Sequence, residues 1–386
     1  MDFELTEEQK QIRNAAREFS EGEFDKDLVL ELDESCKFPF EIWKKACKLG
    51  FIGIHFPEKF GGQNLGVFEN VLIIEEFCRR DSSIGIALSL VDFASELILR
   101  FGSEDQKNTY LIPITKGETI SSGGFSEVEG SEGIDNISTS AIKDGDYFLI
   151  NGKKDFVINS KIANFFIILC RTDTNIKPSH SGQSIIIVEK GLEGLSIIES
   201  EEKMGIKMIP TSDLSLKDVK VPFENLVGGK NRGYYQVMKY FEESKIEIAA
   251  QALGIAQGAF ERAMEYAKKR EQFGRRIVEF QAIQHKLADM ALKIERARLL
   301  TYKAAWSFDK GEYDNRLTLM AKMDASKTAV EVTKEAIQIF GGYGYLKEQE
   351  VEHFYRDAWI TELYLGSRET QKTMLANALL GRLVVS

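Results

Sequence analysis

Asp92 and Glu96 are the only charged residues between Ile84 and Leu99, in an otherwise apolar run. A carboxylate in such surroundings costs free energy unless it is paired or does chemistry, so the run marks a candidate proton acceptor. The same two residues, at i and i+4, equally suit the wet face of a helix. Farther along, the stretch from Tyr266 to Gly274 carries Arg270, Gln272 and Phe273 and leads into Gln281. Arg270 offers a planar, permanently charged donor for an anionic group, although an arginine on a helix is commonly just a solvated charge. From Ala336 a helical pattern runs into Gly341 and Gly342, whose bare backbone could approach a phosphate or simply stop the helix. Phe156 offers an aromatic surface for packing or for a ring system.

These residues need elements to hold them. Thr6 and Gln9 form a capping-box pattern, followed by Ile12, Ala15, Ala16 and Phe19 at helical spacing, and helical patterns with glycine breaks continue to about Lys116. From about Glu118 the texture changes to short β-rich runs, over 147–151, 156–159, 165–170, 184–188 and 214–221. After Val227-Gly228-Gly229 the chain returns to long amphipathic patterns over 235–270, 280–308, 315–340 and 351–380. The expected domains are an N-terminal α-helical domain over 1–117, a middle β-barrel-like domain over 118–228 and a C-terminal α-helical bundle over 229–386. This is an α+β chain with an α, β, α order.

Composition bounds the function. A chain of 386 residues, 43% of them hydrophobic, buries sizeable cores and suggests two or three domains. A net charge of -10 without a long Lys/Arg block argues against nucleic acid. No apolar stretch long enough to span a membrane occurs, and the start Met1-Asp2-Phe3-Glu4-Leu5 lacks a basic segment, so the expected location is cytoplasmic. The four cysteines show no C-x-x-C pairing, which suits reduced thiols. His55, His180, His285 and His353 are far apart, so the spacing predicts no metal site.

Together, four blocks resemble the acyl-CoA dehydrogenase family over nearly the whole chain. They are 266–274 with its continuation to Met290, 336–345, 144–159, and 355–371. The resemblance implies the acyl-CoA dehydrogenase fold, an FAD cofactor, an acyl-CoA substrate, an electron-transfer flavoprotein as acceptor and a homotetramer. It places Arg270, Gln272, Phe273 and Gln281 on the pyrophosphate and adenosine part of FAD. Gln338, Ile339, Gly341 and Gly342 would touch the FAD of a neighbouring subunit. Phe125, Ser126, Phe156, Val157, Ile158, Ser367 and Glu369 fall on flavin positions. Ser131, Glu132, Glu242, Lys245, Tyr364, Leu365 and Gly366 fall on substrate positions. Val128 replaces a usual proline, and Phe156-Val157-Ile158 replaces a usual Trp-Ile-Thr.

Leu365 is the departure with chemical content. The family usually has a glutamate there, which removes the proton next to the thioester carbonyl, and its alternative position on another helix reads Ser244. An alkyl chain cannot titrate, whereas its backbone N–H can still help hold the thioester oxygen. That combination suits a substrate whose α carbon is already sp2 and whose acidic proton sits at the γ carbon. The pattern resembles the cyclic 1,3-diene-forming subgroup, the cyclohex-1-ene-1-carboxyl-CoA dehydrogenases. A 1,4-elimination would then take the C3 proton to Asp92 and the C6 hydride to the flavin, giving cyclohexa-1,5-diene-1-carboxyl-CoA. The alternatives are α,β-dehydrogenation with Glu243, Glu247 or Glu369 recruited as base, a flavin monooxygenase on the same fold, and a non-catalytic FAD-binding homologue.

Overall fold

The computed structural model describes residues 4–128, 133–199 and 202–381. The chain opens with seven helices: α1 (Glu7–Glu23), α2 (Lys26–Ser35), α3 (Phe40–Lys48), α4 (Val67–Arg80), α5 (Ser82–Ser89), α6 (Ser95–Phe101) and α7 (Glu104–Thr115). The capping box is formed: the Thr6 N–H donates to Gln9 Oε1 at 3.0 Å, and the Gln9 N–H donates to Thr6 Oγ1 at 3.2 Å. Strands follow: β1 (Ser121–Gly124), β2 (Ser140–Asp144), β3 (Tyr147–Ile158), β4 (Phe165–Arg171), β5 (Gln183–Glu189), β6 (Leu195–Glu199), β7 (Thr211–Pro222) and β8 (Leu226–Val227). The last part holds α8 (Gly233–Lys269), a small hairpin of β9 (Glu271–Gln272) and β10 (Arg275–Arg276), α9 (Gln281–Asp309), α10 (Asn315–Phe340), α11 (Val351–Leu363) and α12 (Arg368–Leu380).

The sheet runs β6-β7-β3-β2-β4-β5-β8, with β1 added in parallel to β4. Its central strand β4 is buried on both faces, which is why 165–170 reads as an unbroken apolar run. Phe165, Ile167 and Leu169 join the core shared with the helices, while Phe166, Ile168 and Cys170 fill a second core within the β layer. The two sequence runs 147–151 and 156–159 are one strand, β3, whose register against β7 shifts between Lys154 and Val157. That bulge turns Phe156 out to solvent at a φ of 56°.

Helix α8 packs against α4 closely enough that small residues are required. A Cβ at Gly254 would meet the Glu75 carbonyl oxygen at 2.4 Å, and one at Gly258 would meet that of Arg79 at 2.1 Å. Two helical readings need correction. The run from Ile84 to Leu99 is α5, a turn and α6, because Ala94 sits at a φ of 72°. The run over 351–380 is α11 and α12, broken where Leu365 and Gly366 take φ of 57° and 102°. Both breaks fall at residues singled out for chemistry.

Candidate active site

The turn between α5 and α6 carries Asp92 and is fixed from three directions. Ser121 at the start of β1 donates its N–H to the Val91 carbonyl at 2.9 Å and its hydroxyl to that of Phe93 at 3.1 Å. Asn159, just past β3, donates its amide to the Leu90 carbonyl at 2.6 Å, and the Ala94 N–H donates to the Tyr240 hydroxyl oxygen of α8 at 2.9 Å. All three parts of the chain therefore hold this turn. Beside it, Phe93, Phe125 and Tyr240 meet edge to face or tilted at 5.8–6.3 Å between ring centres, and Phe125 also touches Phe241.

Around Asp92 the fold gathers groups that sequence spacing keeps apart. His55 Nε2 donates to Glu96 Oε1 at 2.9 Å, and one polar side-chain atom each of His55, Asp92 and Glu96 lies within 4.8 Å of the others. This overturns the wet-face alternative, since Glu96 is only 3% exposed and Asp92 is part-buried. It also shows what the histidine spacing could not, because His55 reaches these carboxylates across the fold. The one sequence signal was a histidine set between Ile54 and Phe56. On α8, Glu243 is paired with Arg100, and Glu247 accepts from the Asn70 amide at 3.0 Å.

Electrostatics separates the roles of these acids. Burial, then repulsion from Glu96, pushes the Asp92 carboxyl up to about 7 against the attraction of His55. Burial opposes charge on His55, yet its bond to Glu96 and the surrounding carboxylates raise it to about 9. Glu243 is raised by burial in spite of Arg100, and Glu247 is raised well above the ordinary range by burial and by Glu96. Burial thus favours the neutral form of all three carboxyls, and for Asp92 the balance with His55 falls near neutrality.

Leu365 lies in the short connection from α11 to α12. An alkyl residue in left-handed backbone costs roughly 1 kcal/mol, and such strain persists where surrounding structure imposes it. Here Lys322 of α10 donates to the Glu362 carbonyl at 3.1 Å, and Ser326 donates to that of Thr361 at 2.9 Å. Burial pulls the Lys322 ammonium down to about 7. On the far side, Gln371 donates to the Gly366 carbonyl at 2.6 Å, and Ser367 caps α12 by accepting from the Thr370 N–H at 3.2 Å. The Tyr364 hydroxyl is buried without a partner. Glu242 and Lys245, on α8, hold one another at 2.6 Å, and Thr318 donates to Glu242 at 2.6 Å. Glu369 stands exposed on the first turn of α12, and Ser131 and Glu132 lie outside the described residues.

The flavin positions offer suitable chemistry. Phe156 is 67% exposed, Ser126 is exposed, and the Phe125 ring is a buried wall. Val157 and Ile158 turn their side chains into the two cores, so they present backbone. Phe273 and Gly274, both at positive φ, close the β9–β10 hairpin as a two-residue turn, and Phe273 is 93% exposed. Arg270 ends α8 with its guanidinium over the Tyr343 ring at 5.4 Å, while Gln272, Gln281 and Gln338 are exposed. A Cβ at Gly341 or Gly342 would meet nothing within 4 Å, leaving open approach to their backbone, and the Ile339 side chain is buried. Exposed ring, open glycine backbone, cation and amides fit a flavin dinucleotide.

Three family models match the chain: the acyl-CoA dehydrogenase N-terminal domain over 6–118, the middle domain over 123–219 and the C-terminal domain over 231–380. The chain belongs to the acyl-CoA dehydrogenase family. It is accordingly an FAD-dependent oxidoreductase acting on acyl-CoA thioesters. A short-chain-specific acyl-CoA dehydrogenase of Clostridium acetobutylicum is 40% identical, over 97% of this chain and 99% of that one. The caffeyl-CoA reductase-Etf complex subunit CarC of Acetobacterium woodii is 38% identical, again over 97% and 99%. The butyryl-CoA dehydrogenase structure from Megasphaera elsdenii superposes with a TM-score of 0.93 at 37% identity, covering 98% of this chain and all of that one. Among the described residues no helix is long and apolar enough to cross a membrane.

Proposed function

We propose that this acyl-CoA dehydrogenase converts cyclohex-1-ene-1-carboxyl-CoA to cyclohexa-1,5-diene-1-carboxyl-CoA by 1,4-elimination. The observation that carries it is the pairing of an alkyl Leu365 at the family's usual base position with a part-buried Asp92 carboxyl raised to about 7. Asp92 takes the proton from ring C3. The freed electron pair forms C2=C3 as C1=C2 opens, and charge gathers on the thioester oxygen, where the Leu365 N–H holds it. FAD, when bound, supplies the acceptor for the C6 hydride, whose departure closes C1=C6. Ser126, Phe156, Ser367 and the backbone of Val157 and Ile158 would seat the flavin ring, while Arg270, Gln272, Phe273 and Gln281 would hold the dinucleotide end. The hairpin and the Gly341-Gly342 turn present these groups outward, which suits a homotetramer that shares them between subunits. CarC is by name part of an Etf complex. An electron-transfer flavoprotein is accordingly the expected acceptor here.

Anaerobic bleaching of the flavin by straight-chain saturated CoA esters and by saturated, 1-ene and 1,5-diene cyclic CoA esters tests the reading. The 1-ene should bleach fastest, and Asp92→Asn should slow it by roughly 10²–10⁴-fold. Leu365→Glu should bring α,β activity on saturated esters. The reading fails if straight-chain saturated esters bleach wild type fastest, or if the Asn variant handles the 1-ene normally. Conventional α,β-dehydrogenation is the second reading, favoured by relatives named for short-chain and butyryl substrates. Of the bases it would recruit, Glu243 is tied to Arg100 and Glu247 accepts from Asn70, while Glu369 stands exposed on α12.

A further inference from the structure

We propose that His55, clamped by Glu96, is the positioning residue whose fixed charge favours the ionised form of Asp92. The proposal rests on Asp92 being the base. His55 comes from the loop after α3, and its side chain is 8% exposed against 4% for that of Glu96. Because Nε2 is committed to Glu96 at 2.9 Å, the ring is fixed in place with its charge within 4.8 Å of the Asp92 carboxyl. A general base in a pocket otherwise filled with acids needs such a cation, since burial and like charge both favour its neutral form.

The groups facing Asp92 make the balance explicit. From α6 comes Glu96, and from α8 come Glu243 and Glu247, all of which oppose its ionisation or are opposed by it. From α3 comes Cys47, whose thiol burial and Asp92 together push up to about 12, so it stays neutral. Arg100 is committed to Glu243, and Tyr240 donates no charge but fixes the turn through Ala94. Asp309, at the end of α9, faces His55 and adds to the field that keeps the imidazole protonated. Among these groups His55 is the cation acting directly on Asp92. Its protonated state also bars it from accepting the Asp92 proton, so its role is electrostatic and not a relay.

The test is the pH dependence of flavin bleaching by cyclohex-1-ene-1-carboxyl-CoA, joined to an infrared titration of the Asp92 carboxyl in substrate-free holoenzyme, read against Asp92→Asn. Wild type should show a rising limb and an infrared midpoint near 7. His55→Gln should move both upward by at least about one pH unit, a loss of roughly tenfold below the limb that recovers at alkaline pH. A uniform loss of rate with the limb and the infrared midpoint unmoved in His55→Gln overturns the proposal, because a merely structural role predicts that result. If Asp92→Asn still turns over the 1-ene, the reading of Asp92 as base has failed instead, and the infrared midpoint still decides what His55 does to this carboxyl.

Discussion

Asp92 works against the fold that holds it. Its carboxyl is raised from 3.8 to about 7 chiefly by burial, so its contribution favours folding fully only below about 3.8 and is lost as pH rises through 7. Asp92→Asn should therefore stabilise the protein above pH 7, by about 1–4 kcal/mol, and leave stability at pH 4 almost unchanged. Thermal midpoints of both proteins at pH 4 and pH 8 check this, and an equal or lower midpoint for the variant at pH 8 would contradict it. Such a group was legible in sequence as an acid stranded among apolar residues. What that pattern could not supply was its partner, because His55 and Glu96 are separated by 41 positions. Strain tells a similar story: Ala94, Phe156, Phe273 and Leu365 all hold positive φ, and each sits at or beside a proposed site residue.

At the scale of elements, α11 is tied to α5 and to the β layer through one carboxylate. Asp357 is fully buried and accepts from the Ser82 and Ser83 hydroxyls at 2.7 and 2.6 Å and from the Ile206 N–H at 2.6 Å. Removing it leaves two hydroxyls and an amide unpaired, so Asp357→Ala should cost about 3 kcal/mol, seen as a lower thermal midpoint. His353 stands beside it, where burial is outweighed by Asp357, Asp81 and Asp33 and the ring is raised to about 9. That stabilisation is complete below about 6.5 and is lost as pH rises through 9, whereas Asp81, lowered by His353, loses its own contribution at acid pH. The long helices were legible because their periodicity is local; 315–340 is recovered as α10 without change. The 351–380 break was hidden because Leu365 is apolar at a helical position, and nothing in its type announces a left-handed backbone.

The whole molecule presents an apolar hairpin tip that its own chain does not cover. Phe273, almost wholly exposed in its two-residue turn, lies in the block assigned to the dinucleotide. If the hairpin packs in the proposed homotetramer, Phe273→Asp should give smaller species in sedimentation and weaken FAD retention at least tenfold, since a charge at a covered apolar contact is left desolvated and unpaired. Unchanged sedimentation would remove the hairpin from the interface. By itself the sequence determined the α, β, α order, the motif blocks that mark the family, a leucine where the resemblance places a glutamate, and an acid set among apolar residues. These are properties of residue type and short spacing. Only the tertiary structure decided that Asp92 lies in a turn held by β1, Asn159 and α8, that His55 and Glu96 flank it, and that Glu243 and Glu247 are already engaged. Proton affinity depends on which charges are packed within a few ångströms, and that depends on contacts between residues far apart in the chain.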